Sequence, residues 1–424
     1  MNKKLIGLSL LAFTISLVSC SKNENEIEIP NEEPTPGLEG DMVDLSKDEM
    51  ANCYIVQSPG KYKFKADNQF NLGEGLPVPP AIEPQEAGLI WQTTNGSIKA
   101  VELISENNEP YVAFEVENAE GNALIAVYDS RGRVAWSWHI WMPIEEISSM
   151  KTATGYEVMN MNLGAMNNTP GSAESYGMLY QWGRKDPFPA ASTLTGTTAT
   201  ISADMYDITG KKVVINNSSW YDTIDNTIEY SISHPTTCLS NYAQYANSRD
   251  WLREELSDPS LWGNPEGDKR NNLTDTYPNK GVKTCYDPSP AGWRVAPPDV
   301  FRNFTTSGGY AWTLNEFNVY DLNSDGIISL DDYLYGWHFL IDNETPLYFP
   351  AAARFDGSYA MLMGSVSGLW GNYWSNSPYS SMNGGAFCAL AFQVKDQNGN
   401  DMVTISPSAA SSRADAFSIR CIKD

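Results

Sequence analysis

Asp321-Leu322-Asn323-Ser324-Asp325-Gly326-Ile327-Ile328-Ser329-Leu330-Asp331-Asp332 is the stretch whose residue types and spacing come nearest to a defined chemistry. Calcium takes about six to eight oxygen ligands, and a twelve-residue loop supplies them from positions 1, 3, 5, 7 and 12. Asp321, Asn323 and Asp325 fill the first three of these, and Ile327 offers its carbonyl at the seventh. Asp332 stands at the twelfth, in place of the usual Glu. Gly326 allows the sharp turn, Ile328 can anchor the loop in apolar surroundings, and Ser329 can hold a ligand water or cap a following turn. The competing reading is a plain Asn/Asp/Gly surface turn. Calcium is expected here as a structural ion. Only one copy is present, because Asp396-Gln397-Asn398-Gly399-Asn400-Asp401 has its Gly misplaced and reads as a hairpin turn.

Other catalytic constellations do not emerge. There is no Gly-rich phosphate loop, His-Glu-x-x-His pattern or Gly-x-Ser-x-Gly elbow. Nothing in the sequence groups His139, His234 and His338, and His139 reads as a packed histidine beside tryptophans. Cys53, Cys238, Cys285, Cys388 and Cys421 are too widely spaced for a zinc knuckle. In an exported chain they can form disulfides, with at least one left free. Nine of the thirteen Trp lie beyond residue 150, among them Trp220, Trp262, Trp312, Trp370 and Trp374. Such rings can stack on sugars while Asn, Asp and Tyr neighbours bind hydroxyls, although most tryptophans serve the core. The expectation is therefore a protein that is not an enzyme.

The N-terminus sets the address. Lys3 and Lys4 precede an uncharged apolar run, Leu5–Val18, too short to span a bilayer and suited to a signal peptide. It ends in Leu17-Val18-Ser19-Cys20, a lipobox, so residues 1–19 are read as a signal and Cys20 as the lipidated first residue. Several acyl chains, at about 0.8 kcal/mol per buried methylene, anchor firmly to outer-membrane lipid. Residues 20–46 are rich in Glu and Pro and read as a disordered acidic tether.

With 28 Lys+Arg against 52 Asp+Glu, the 424-residue chain carries a formal charge of −24. That excludes the basic footprint of a nucleic-acid binder. Across 47–145, period-two alternation dominates. Tyr62, Phe64 and Ala66 alternate with lysines, and Val112, Phe114 and Val116 form a second such run. Leu124–Tyr128 and Val134–Trp141 flank an Asp129-Ser130-Arg131-Gly132 hairpin turn; on the second strand Val134, Trp136, Trp138 and Ile140 share one face and Ala135, Ser137, His139 and Trp141 the other, so that strand is expected to be covered on both sides. The expectation is a β-sandwich domain. Residues 150–424 turn to Gly, Asn, Ser, Tyr and Trp, with helices expected over Asn241–Leu256 and from Pro297 toward Gly308, giving α+β. The Ser/Thr-rich segment 191–235, with a hairpin at Asp207-Ile208-Thr209-Gly210, reads as a solvent-facing insertion.

Several stretches are recognisable in order: Met161-Asn162-Leu163-Gly164-Ala165, Tyr176–Phe188 with Gln181-Trp182-Gly183-Arg184-Lys185-Asp186, Tyr286–Val295, Tyr348–Ala352, Tyr373-Trp374-Ser375 and Ile419-Arg420-Cys421-Ile422. The series resembles the Fibrobacter succinogenes major paralogous domain family over nearly all of 150–424. Ala51–Val56 and Trp136–Trp141 look like the β-domain that precedes this module in Bacteroidetes surface and fimbrillin-like proteins. The resemblance implies a C-type-lectin-like α+β fold after the all-β sandwich, and no catalytic residues. With the acidic stretch after Cys20, it also implies display on the outer face of the outer membrane. The family usually carries a Cys where Ser289 stands, so Cys285 is expected to pair with Cys421 in its stead. The function expected is a cell-surface adhesin or fimbrial subunit, including one at a tip, with fimbrial subunits or a host or glycan ligand as partners. The alternative is a glycan-binding lipoprotein for polysaccharide capture.

Overall fold

The computed structural model describes residues 38–424, apart from 198–199, 219–225, 241–248, 254–255, 265, 267–279, 379–384, 397 and the side chains of 385–389. The signal, Cys20 and the tether up to Gly37 lie outside the described residues, as does Trp220. Strand accounts for 37% and helix for 8%, so β-structure dominates both halves. Among the described residues no helix is long and apolar enough to cross a membrane.

The first half forms eight strands: β1 Val43–Asp44, β2 Cys53–Ile55, β3 Gly60–Lys65, β4 Glu86–Gln92, β5 Ile98–Glu106, β6 Glu109–Val116, β7 Gly121–Tyr128 and β8 Val134–Met142. One sheet has the order β1-β3-β6-β5. The other runs β4-β7-β8-β2 and is extended past β4 by Met205–Tyr206 and Lys212–Val213. The alternation seen in the sequence turns Tyr62, Phe64, Val112 and Phe114 inward. Phe64 meets Trp138 of the opposite sheet with ring centroids 5.0 Å apart and Tyr54 at 4.9 Å. That is a β-sandwich, closed by aromatic pairs across its middle. The β7–β8 turn forms as expected: Gly132 takes φ +71° and the Asp129 carboxylate accepts from the backbone N–H of Arg131 and Arg133.

Two boundaries move. Val43–Asp44 falls inside the stretch read as tether yet pairs in parallel with Tyr62–Lys63, with Ser46 turning back on Asp44. The hairpin around Gly210 does not stand free in solvent, since Tyr206 pairs with Gln92 at the sandwich edge. Residues 38–424 form one compact unit. Strand β8 explains why. Its Ser137, His139 and Trp141 face is covered by the later chain: Ser137 by Lys185 and Asp186, His139 by Tyr180, and Trp141 by the Ala165 carbonyl.

The later chain builds a large sheet around Met178–Gln181, Ala416–Ser418, Trp370–Pro378, Gly385–Lys395 and Asp401–Ser406. In a second sheet Val158 pairs with Ile422, so the two ends of the 150–424 region meet. The helix expected from Pro297 is a 3-10 helix, Pro298–Phe304, which buries Val300, Phe301 and Phe304. The one expected over Asn241–Leu256 lies largely outside the described residues, and Asp250–Leu252 within it is a bend. The one α-helix among the described residues is α1, Ile228–Ser233, capped by the Thr227 hydroxyl on the Tyr230 N–H.

His139 is packed, as the sequence suggests. Its Nε2 lies 2.8 Å from Asn122 Oδ1 and its Nδ1 3.2 Å from the Tyr180 hydroxyl. Asn122 Nδ2 already donates to the Gly164 carbonyl, so Oδ1 faces the ring and accepts from Nε2–H. Burial depresses the imidazole to about 3. The unfolded chain takes up a proton near the ordinary value of about 6.5, which the folded chain refuses until about 3, so stability present above 6.5 drains away as pH falls. Between pH 6.5 and 5 this amounts to about 2 kcal/mol, at about 1.4 kcal/mol per unit. Urea melts at pH 7 and pH 5 are expected to show that extra loss in the wild type and not in His139→Gln. Equal losses in both would remove His139 as the cause.

Candidate functional site

The recognisable stretches meet in the interior. Asn162 Nδ2 donates to the Tyr176 carbonyl and the Tyr373 hydroxyl, which in turn donates to the Pro350 carbonyl. Arg420 is fully buried. It donates to the carbonyls of Tyr348 and Met159 and lies 4.2 Å over the Phe349 ring. Burial lowers this guanidinium to about 10. Trp182 packs at a tilt against Trp262 and under Arg413, whose guanidinium pairs with buried Asp250. Arg184 feeds Gln181 and the Thr237 carbonyl. Each stretch thus satisfies another's polar backbone, the condition for burying loops.

One cluster has the outline of a nucleophile and its base. Lys185 Nζ lies 2.6 Å from Ser137 Oγ and 2.7 Å from Asp186 Oδ1, and the serine hydroxyl donates to the same carboxylate at 2.6 Å. Burial lowers the lysine's affinity for its proton, and the neighbouring carboxylate opposes that. Such a pair can activate a hydroxyl. The space beside Lys185 and Asp186 measures about 10 Å³, room for about one water and for no substrate. The cluster is a bolt between β8 and the later chain.

Exposed chemistry sits elsewhere. Of the tryptophans considered as a platform, Trp262 and Trp374 are core and Trp370 is half-buried, its indole donating to the Lys395 carbonyl. Trp312 is 68% exposed and Tyr310 43%, their rings 4.5 Å apart in an edge-on pair. Their loop is held firmly. Ala311 exchanges two backbone hydrogen bonds with Ile405, and Thr313 with Glu316 forms a capping box. The Thr313 hydroxyl and the Trp312 N–H together hold the Glu316 carboxyl below its usual range.

The same excursion of chain carries the acidic loop. Asp321 accepts from the N–H of Ser324 and Gly326, Asn323 from Asp325, and Asp325 from Ile327. Gly326 takes φ +83°, and Ser324 is also left-handed at +59°. Asp332 is fully buried and closes the loop, accepting from Leu322 N–H at 2.9 Å and Ser329 N–H at 2.8 Å. Ile328 packs on the core as expected, and Ile327 stays 66% exposed. The donors are all oxygens, which suits calcium over zinc. Among the described residues, however, no three His, Cys, Asp or Glu side chains converge tightly enough to enclose an ion. Binding would draw Asp321, Asn323, Asp325 and Asp332 away from backbone N–H groups.

The expected Cys285–Cys421 bridge is not formed. The Cys285 thiol points to the Pro77 carbonyl at 3.5 Å, whereas Cys421 donates to Ser289 Oγ at 3.2 Å. Serine at 289 thus occupies the place facing Cys421, and Cys285 turns away from it. Cys53 and Cys238 are also free and buried, and burial raises all four thiols, Cys421 to about 12. Buried, protonated thiols are poor nucleophiles. The Cys388 side chain lies outside the described residues.

Arg184, Lys185 and Arg420 stand in the recognisable stretches, but nothing in their spacing shows that their charges are buried. The pairing of Tyr230 with His234 was also not read: Tyr230 lies in α1, and His234 is the residue that caps the helix's C-terminal end one turn later. Comparison with protein-family models, curated proteins and solved structures finds no match.

Proposed function

We propose that this chain is a lipid-anchored attachment protein of the outer cell surface, an adhesin or fimbrial subunit, held by Cys20 and a short acidic tether. The observation that carries the reading is the division of labour among aromatic and charged residues. The motif residues are consumed in packing, while Trp312 and Tyr310 stand exposed on a braced loop. Braced, exposed aromatics are the kind of anchor that binding surfaces use. Residues 150–424 are read as a C-type-lectin-like module, a reading supported by the meeting of the region's two ends at Val158 and Ile422. Fimbriae sheared from cells and probed with antibody against the chain are expected to carry it. Its presence solely as a monomeric membrane lipoprotein would count against the fimbrial form.

Glycan capture is the second reading, favoured by the geometry at Trp312. A flat ring with one edge-packed neighbour leaves a face for the C–H side of a sugar. Glycan-array binding that is lost in Trp312→Ala would support it.

Calcium is proposed as a structural ion in the 321–332 loop, held by Asp321, Asn323, Asp325, Asp332 and the Ile327 carbonyl. With calcium at about 100 times its dissociation constant, bound ion contributes about 2.7 kcal/mol. EDTA is therefore expected to lower the melting temperature by several degrees, and Asp325→Ala to give the same loss in calcium. An unchanged wild-type melting curve in EDTA would exclude the ion.

A further inference from the structure

A groove of about 510 Å³ lies between α1 and the β7–β8 turn, in the size range of small-ligand sites. Ile82, Val134, Ala135 and Ile232 give it an apolar wall. On that wall the Tyr230 ring stacks flat against His234, 3.9 Å between centroids and 13° between planes. The imidazole is fixed in place. Its Nδ1 lies 3.1 Å from the Tyr230 carbonyl and 3.0 Å from Ser233 Oγ, and the serine hydroxyl itself donates to the Glu229 carbonyl. A carbonyl only accepts, so the neutral ring carries its proton on Nδ1 and leaves Nε2 as an acceptor. The Glu83 and Glu229 carboxylates line the same groove and have no partner among the described residues. Its cation, Arg133, is already claimed by Asp129 through two bonds of 3.0 and 2.7 Å.

The groove therefore offers a flat aromatic and aliphatic face beside three groups that accept hydrogen bonds, with a surplus of negative charge. A ligand that matches must present C–H surface on one side and many O–H or N–H donors on its rim, and must not be an anion. We propose that this groove is a saccharide subsite that takes a neutral or amine-bearing pyranose and rejects acidic sugars. The proposal rests on the glycan-binding reading and adds to it a site separate from Trp312 and a charge preference.

Saturation-transfer NMR on the full mature protein tests it, with methyl β-glucopyranoside, glucosamine and glucuronate as probes. Transfer is expected to the first two and not to glucuronate. Tyr230→Ala and Glu229→Gln should each cut it at least tenfold, and Trp312→Ala should leave it in place. Glu229→Gln changes an exposed side chain, so it reports even if Tyr230→Ala fails to fold. Transfer to none of the probes, equal transfer to glucuronate, or full transfer in Glu229→Gln would each overturn the proposal. Failure here, with array binding that Trp312→Ala abolishes, would leave the glycan reading standing on Trp312 alone. An empty array as well would remove both.

Discussion

Lys185→Met is expected to destabilise the protein by about 3–5 kcal/mol, the usual cost of stranding one partner of a buried ion pair. The ammonium and its Asp186 partner are 2% and 3% exposed, so water cannot compensate for the lost cation. The lysine also donates to the Ser137 carbonyl at 3.0 Å and sits 4.6 Å over the Trp136 ring. Methionine keeps the volume and the contact with the indole but leaves the Asp186 carboxylate with one hydroxyl donor. Adding Asp186→Asn to Lys185→Met is expected to recover much of the loss, because the uncompensated charge goes with it. Urea denaturation of the two variants checks this. A loss under 1 kcal/mol in Lys185→Met would mean that the cluster is dispensable and that β8 is secured by apolar packing alone.

Asn52→Ala carries the second large effect. The amide is 1% exposed and serves three partners: Nδ2 donates to the Cys285 carbonyl at 2.6 Å and the Asp287 carbonyl at 2.9 Å, and Oδ1 accepts from Trp136 Nε1 at 3.0 Å. Standing just before β2, it joins that strand's start to the Cys285–Asp287 stretch, and both to β8. Truncation strands buried groups at about 1–3 kcal/mol each, so the net cost is expected to be about 3 kcal/mol or more. The loss should appear in a single cooperative transition, since the residue lies within one packed unit. Two separated transitions, with only the first displaced, would contradict that continuity.

The sandwich was legible because its signal is local. Period-two alternation in β3 and β6, and the Asp-to-Gly turn between β7 and β8, specify which face is buried without any reference to distant chain. Large aromatic residues on both faces of β8, Trp136 and Trp138 on one and Trp141 on the other, also announced that something covers its second face. What covers it could not be read, because the partners Tyr180, Lys185 and Asp186 are distant in sequence, and spacing carries no record of long-range pairing. Pairing of Tyr206 with Gln92 was hidden for the same reason, as was the recruitment of Val43–Asp44 from an acidic stretch. Side-chain chemistry was legible where it is sequential, as in the acidic loop. It was not legible where it is assembled, as in the groove of Tyr230, His234 and Glu229, which exists only once α1 docks beside β8. Arg420 and Lys185 can be buried because each finds acceptors supplied by distant chain.

The attachment reading depends on a covalent bond to lipid at Cys20. Growing cells with a radiolabelled or alkynyl fatty acid and isolating the protein tests this directly. The account predicts label in the wild-type chain, none in Cys20→Ala, and release of the Cys20→Ala protein from the envelope. A native protein without label, or a Cys20→Ala variant that stays with the membrane, would contradict it.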